Sequence, residues 1–188
     1  MYHIKTDKRS IKSSELIYQG LSKCMDEKEF NKITITDIQK ASTVGRATFY
    51  RNFDNITDVL YWQCDIHYKE VMTNYIVTNV KTIDHYHFLK YFFDYWFLNS
   101  RILEQIISIG HYDIIFSCHF KSSFILSEKI NVNETIPSEF YEYYISSLIG
   151  AFVGLLVTWI SKGKTLNAED FINMLKNSSE RDMVKLFL

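Results

Sequence analysis

Proline is nearly absent from this chain of 188 residues, which has only Pro137, and glycine is scarce, with six. These residues end or kink helices, so their rarity favours long, uninterrupted ones. Cysteine is also sparse: Cys24, Cys64 and Cys118 are odd in number and far apart. That excludes a disulfide framework or a CxxC metal site, and the three read as small apolar residues of a reducing cytosol. The N-terminus lacks a central apolar run, so no secretory leader is expected. The longest apolar run, Leu148 to Ile160, is too short to cross a bilayer. A cytoplasmic protein is the expectation. Neither sign of charge dominates: the net charge is −1. No Gly-rich phosphate loop and no convincing β-alternation occur. The chain reads as all-α.

What is abundant is apolar and aromatic surface. Hydrophobic residues make up 47 % of the chain and aromatics 16 %, mostly Phe and Tyr. The length suits one or two small domains with a real core. The segment Thr34 to Phe53 carries the most information. Thr34 and Asp37 form a capping box that opens a helix near Ile35. Ile35, Ile38 and Ala41 fall on one face of it. The turn Ser42-Thr43-Val44-Gly45 follows, with Gly45 as the N-cap of a second helix. Phe49 and Phe53, four apart, face inward, leaving Arg46, Ala47, Tyr50 and Arg51 outward. Two short helices joined by a tight turn describe a helix-turn-helix, whose second helix enters the DNA major groove. An ordinary surface hairpin has the same composition.

The motif T-I-T-D-I-Q-K-A-S-T-V-G-R-A-T-F-Y-R-N-F resembles the DNA-binding half of TetR/AcrR-type bacterial transcriptional regulators. Thr34, Asp37, Ile38, Ala41, Val44, Thr48, Phe49, Tyr50 and Phe53 match the family pattern, and T-F-Y-R-N-F is its most specific part. Gln39, Thr43, Gly45 and Ile56 stand where that family more often has Ala, Gly, Ser and Lys. The resemblance implies a DNA-binding set of Thr34, Arg46, Ala47, Thr48, Tyr50, Arg51 and Asn52. Thr34, Thr48, Tyr50 and Asn52 would bond phosphates. Arg46, Ala47 and Arg51 would reach base edges, Arg suiting guanine and the Ala methyl suiting thymine. It also implies a three-helix head, residues 1–55, and a helical effector-binding and dimerisation domain, residues 56–188, with about nine helices in all.

Charge gives the head modest support. Through Leu60, ten Lys or Arg stand against eight Asp or Glu; the remainder has eleven against fourteen. Lys5, Lys8, Arg9 and Lys12 cluster before a first helix expected to start at Ser13 or Ser14. They either contact phosphates or an adjacent minor groove, or form a frayed, solvated tail. Gly20 in that helix permits a close approach. Asn55 and Asp58 form a second capping box, opening a helix towards Val80. Aromatic-rich Asp84 to Asn99 is the next helix. A helix over residues 102–109 stops at Gly110, and one over residues 112–129 leads to a loop marked by Asn131, Asn133 and Pro137.

The helix of Ser138 to Gly163 is apolar nearly all round, so it must be buried. A strip of small residues runs along it: Ser147, Gly150, Ala151, Gly154 and Thr158. Two interior glycines, each costing roughly 1 kcal/mol against Ala, suggest that another backbone needs the space. A homodimer is expected through Ser147, Leu148, Gly150, Ala151, Gly154, Leu155, Thr158 and Trp159, with Phe171 and Leu175 of a final helix capped by Asn167 and Asp170. Packing within one chain is the alternative. The segment also resembles the dimerising C-terminal region of a TetR-type subfamily.

The aromatic middle is either core or pocket. As pocket it would be lined by Trp96, Tyr112, Phe116, Tyr141 and Tyr144 and take a small hydrophobic or flat effector. Catalysis is not expected, nor is a cofactor. His85, His87, His111, Cys118 and His119 could together hold a metal, but scattered placement is the ordinary reading. The partners expected are an operator in double-stranded DNA, a second copy of the chain and a small-molecule effector, with no membrane. A homodimeric repressor of pseudo-palindromic operators is the function implied. A coactivator of the same fold, acting through a protein partner, is the alternative.

Overall fold

The structure, a computed structural model, describes residues 1–78, 85–127 and 137–177. Among them are nine α-helices: α1 Lys8–Glu27, α2 Ile35–Ser42, α3 Arg46–Asn52, α4 Ile56–Thr78, α5 His85–Leu98, α6 Arg101–Ser108, α7 Tyr112–Ser127, α8 Ser138–Ser161 and α9 Ala168–Asn177. No strand occurs among the described residues, only one antiparallel bridge between Tyr2 and Phe53. The all-α expectation holds. Asp84, Asn131 and Asn133, expected at a helix start and in a loop, lie outside the described residues.

Local chemistry sets the helix ends. Thr34 and Asp37 bond reciprocally at the start of α2. Asn55 and Asp58 do so before α4, at 3.2 and 3.0 Å. Asn167 and Asp170 do so before α9, at 3.3 and 2.9 Å. Each pair satisfies two backbone N–H groups that a helix start leaves without partners. Gly110, at φ +74°, closes α6: its N–H donates to the Ile107 carbonyl and that of His111 to Ile106. Gly163 closes α8 in the same way, with bonds to Ile160 and Trp159. Both are left-handed stops that glycine makes without a Cβ penalty.

One boundary differs from expectation. α1 begins at Lys8, not at Ser13 or Ser14, because Asp7 is its N-cap and accepts from the Arg9 and Ser10 N–H groups at 3.1 and 2.9 Å. Lys8, Arg9 and Lys12 are therefore helical. The segment before them is not a loose tail. The Tyr2 hydroxyl donates to Asp65, and the His3 N–H donates to the Asn52 carbonyl at 2.8 Å.

The described chain forms two compact units. The first comprises Met1–Tyr68 and Arg101–His119; the second comprises Lys69–Ser100 and the described residues from Phe120 onward. The sequence division at residue 55 thus ends the helix-turn-helix segment, while the start of α4, all of α6 and the start of α7 pack with it.

In the first unit, Ile17, Leu21, Ile38, Phe49, Phe53, Leu60, Ile102 and Ile106 are buried together. Gly20 lets α1 and α2 meet, since a Cβ there would lie 2.7 Å from the Ser42 Cβ. Tyr18, Ser22 and Asp26, spaced four apart on α1, meet α6. The Tyr18 hydroxyl donates to Gln105 at 3.0 Å, Gln105 donates to Ser22 at 2.8 Å, and Arg101 pairs with Asp26.

The core of the second unit is aromatic. Phe93 stacks on Phe171 with centroids 4.5 Å apart and planes 3° from parallel. Phe92 meets Phe152 at 5.6 Å and Phe97 meets Trp159 at 5.7 Å. Ile149, Val153, Leu156 and Trp159 give α8 its buried side. Its other side is bare, so the expectation of all-round burial is corrected. Within Glu139–Ser161 of α8, the most apolar 18-residue window has a mean hydropathy of 1.8, and only 28 % of it is buried. By length and composition that stretch could cross a bilayer. The run Leu148 to Ile160 is too short by itself, but the uncharged residues on either side of it lengthen the apolar window.

Candidate nucleic-acid interface

The segment of α2, the turn and α3 is built from its ends inwards. At the start of α2 the Thr34 hydroxyl donates to Asp37 at 2.7 Å, and its N–H donates to the same carboxylate at 2.8 Å. Lys28, at the end of α1, adds an ion pair with Asp37 at 2.7 Å. The Lys28 ammonium, then the Thr34 bonds, hold the Asp37 carboxyl well below the usual carboxylate range. Thr34 is exposed, but its hydroxyl must turn away from Asp37 to meet a phosphate.

The turn then reverses the chain through Thr43, at φ 60° and ψ 14°. This left-handed conformation is costly for a β-branched residue. Local bonds hold it: the Thr43 N–H donates to the Gln39 carbonyl at 2.9 Å, and the Val44 N–H donates to the Ser42 hydroxyl at 3.2 Å. Gly45 is the N-cap of α3, in extended conformation and without a side-chain bond.

α3 has one inner and one outer side. Phe49 and Phe53 are buried, 5.8 Å apart, and Phe53 meets Trp62 of α4 at 5.9 Å. Arg46, Ala47, Tyr50 and Arg51 are exposed, and Thr48 is half-buried. Arg46 lies across Tyr50: its guanidinium carbon is 5.4 Å from the ring centroid and its Nη2 donates to the hydroxyl at 3.2 Å. Arg51 turns the other way and donates to Thr48 at 3.5 Å.

Asn52 is a correction. It is only 1 % exposed and cannot bond a phosphate. Its Nδ2 donates to Ser13 and Ser14 at 3.1 and 3.0 Å, and Ser10 donates to its Oδ1 at 3.3 Å. These bonds lock the last turn of α3 to the first turns of α1. The sequence held one hint: Asp7 three residues before Ser10 is an N-cap pattern, and it puts Ser10, Ser13 and Ser14 within the first two turns of a helix.

The cations sort by position. In residues 1–60, Lys12, Lys28 and Lys32 are paired with Glu15, Asp37 and Glu29. Lys5, Lys8, Arg9, Arg46 and Arg51, with Lys23 and Lys40, have no ion-pair partner among the described residues. The arm, the start of α1 and α3 hold five of these seven. Uncompensated cations gathered on one part of a surface are an electrostatic footprint for a polyanion.

No protein-family model matches the chain, and no curated protein matches it. A solved structure does. The chain shares its fold with Lin0861 of Listeria innocua. The two are 17 % identical, with a TM-score of 0.77 over 94 % of this chain and 93 % of that one. At that identity the likeness is one of fold.

The expected pocket residues divide between the two units, Tyr112 and Phe116 in the first and Trp96, Tyr141 and Tyr144 in the second. Trp96 is fully buried against Phe92 and Tyr95, while Tyr112 and Tyr144 are exposed. Tyr141 keeps a buried hydroxyl with no hydrogen-bond partner among the described residues. None of the five, Phe116 included, lines the cavity of about 490 Å³ found in the first unit, which lies between Met25, Lys28, Phe30, Asn31, Ile109 and His111.

The dimer residues divide in two. Ser147, Leu148, Gly150, Ala151, Gly154 and Thr158 are exposed along one side of α8, continued by Phe140 and by Tyr143, which is 77 % exposed. Leu155 is half-buried. A Cβ built at Gly150 or Gly154 would meet no atom within 4 Å. Trp159 and Phe171 are corrected: they are 4 % exposed, packed into the core of the second unit of their own chain. The Trp159 indole donates to the Leu166 carbonyl at 2.8 Å. The side chain of Leu175 lies outside the described residues.

The described histidines of the expected set each have their own neighbour. His111 is 3.5 Å from Asp113, His119 is buried against Tyr68, and His87 contacts Tyr75. His85 has no described side chain. Among the described residues no three His, Cys, Asp or Glu side chains are grouped to hold a metal ion.

Proposed function

We propose that this chain is a sequence-specific DNA-binding transcriptional regulator of the TetR type, a cytoplasmic homodimeric repressor of pseudo-palindromic operators. The observation that carries this reading is the two-sided α3. Phe49 and Phe53 fix it to the head, leaving Arg46, Ala47, Tyr50 and Arg51 outward beside cations that lack partners. Arg46 is held across Tyr50. A guanidinium so preorganised suits the paired acceptors of guanine, and the Ala47 methyl suits thymine. Tyr50 and Thr48 serve the backbone.

The bare side of α8 supports the dimer. Glycines with open space over them, between apolar side chains, suit the close approach of a second helix. A lipid-facing role for α8 is less favoured, because its other side is sealed into the core of its own unit. Two copies would place two recognition helices on one duplex, with half-site spacing fixed by the dimer. A small apolar or aromatic effector would release it by binding one dimer conformation better than the other.

Selection of bound sequences from a random DNA pool, followed by a salt series on the winner, tests the reading. A two-fold symmetric site and affinity falling steeply with salt are expected. Weak binding to every sequence, insensitive to salt, would overturn it in favour of a coactivator that docks a protein.

A further inference from the structure

The basic residues of the arm and of α3 meet in a place that the major-groove reading leaves unused. A cleft of about 220 Å³ opens between the N-terminal arm, the first turn of α1 and the last turn of α3, with Lys5, Arg9, Arg51 and Asn52 among its walls. It is smaller than the sites that take drug-sized ligands. Three of its side chains are cations, and none has an ion-pair partner among the described residues. His3, also on the rim, is bonded to Asp54 at 2.9 Å. The one carboxylate in the lining, Asp7, is committed to capping the Arg9 and Ser10 N–H groups. Those two amides at this helix end are therefore taken, and charge recognition falls to the side chains. The buried bonds from Asn52 to Ser10, Ser13 and Ser14 hold the α1 and α3 walls together. Like charges that line one cleft repel one another unless an anion lies between them.

We propose that this cleft holds one phosphodiester of the DNA backbone, beside the groove that α3 reads, with Lys5, Arg9 and Arg51 sharing its charge. This rests on the DNA-binding reading above and deepens it. It also moves Arg51 from the base-reading set to the backbone set, in keeping with its turning away from Arg46 and Tyr50. Contacts to phosphate carry no sequence information and weaken all sites alike when removed.

The test uses the full chain and the operator selected by the wild type. Binding is followed by fluorescence anisotropy at salt concentrations bracketing the physiological range, for Lys5→Gln, Arg9→Gln, Arg51→Gln, the triple variant and a control in the second unit, Lys90→Gln. Each single change should weaken binding about tenfold, equally on the operator and on versions altered at single base pairs. Because all three cations serve one phosphate, the triple variant should lower the salt slope by only about one, and the single losses should add up to more than the triple loss. A triple-variant slope lower by about three would mean three separate phosphates and overturn the shared site. Loss at one base pair only in Arg51→Gln would return Arg51 to base reading and overturn it too. If the wild type binds its operator and the variants bind equally well, the cleft is not a contact, while the regulator reading survives. If the wild type binds no DNA, both fail.

Discussion

Gly150 and Gly154 allow the dimer to be tested by the sign of an effect. In the isolated subunit a Cβ at either position meets nothing within 4 Å. Replacing both with Ala therefore costs no packing within the chain. It gains helix propensity, roughly 1 kcal/mol at each site. If the bare side of α8 faces solvent, Gly150→Ala/Gly154→Ala should be more stable by about 2 kcal/mol. For a chain of this size that is a rise in Tm of roughly 4–8 °C. If a second α8 lies against the glycines, two added methyl groups force the backbones apart. Overpacking a tight contact costs typically 1–3 kcal/mol, and a two-fold axis makes each change count twice. The dimer dissociation constant should then rise at least tenfold, and Tm should become less dependent on protein concentration as dissociation comes to precede unfolding. Size exclusion with light scattering over a dilution series, together with melts at two concentrations, separates the cases. A double-alanine variant that melts higher at every concentration and remains dimeric would refute the seam on α8. A wild type that is monomeric at micromolar concentration would refute the dimer.

Other outcomes follow from single residues. Arg46→Ala should cost about 1–3 kcal/mol at one base position, read by comparing operators altered one base pair at a time; equal binding to all of them would remove Arg46 from the reading set. Thr43→Gly removes a left-handed β-branched residue and should stabilise the head by about 0.5–1 kcal/mol in urea unfolding, where a loss of stability would contradict the strain. Gly20→Ala should be destabilising by about 1–3 kcal/mol, because its Cβ would sit 2.9 Å from the Ser42 backbone nitrogen as well as against the side chain; a neutral result would show that the α1–α2 contact yields easily. His119 is fully buried, and burial pushes its pKa from the ordinary 6.5 down to about 3. The unfolded chain therefore binds a proton that the native chain refuses between those values, and stability falls as pH drops below about 6.5. At pH 5 the loss is about 2 kcal/mol. His119→Phe, which keeps a ring against Tyr68, should flatten urea-derived stability between pH 7 and 5; an unchanged slope would assign the acid sensitivity elsewhere.

The sequence by itself determined what depends on neighbours along the chain. The three capping boxes, the glycine stop at 110, and the inward pair Phe49 and Phe53 rest on contacts within about five residues, so spacing alone specified them. Nine helices and their approximate ends followed. The start of α1 was missed although its signal, Asp7, was local, because the basic cluster around it read as a tail. Tertiary structure decided everything that depends on which side of a helix meets another. Asn52 matched an outward recognition pattern, but three serines 38 to 42 residues earlier drew it inside. Trp159 and Phe171 had the apolar character of an interface, yet Phe93 and Phe97 of α5 took them into the core. Helical periodicity shows that residues share a side; only the packed chain shows whether that side is covered. Thus α8, apolar all round in sequence, proved sealed on one side and bare on the other, where its two glycines lie.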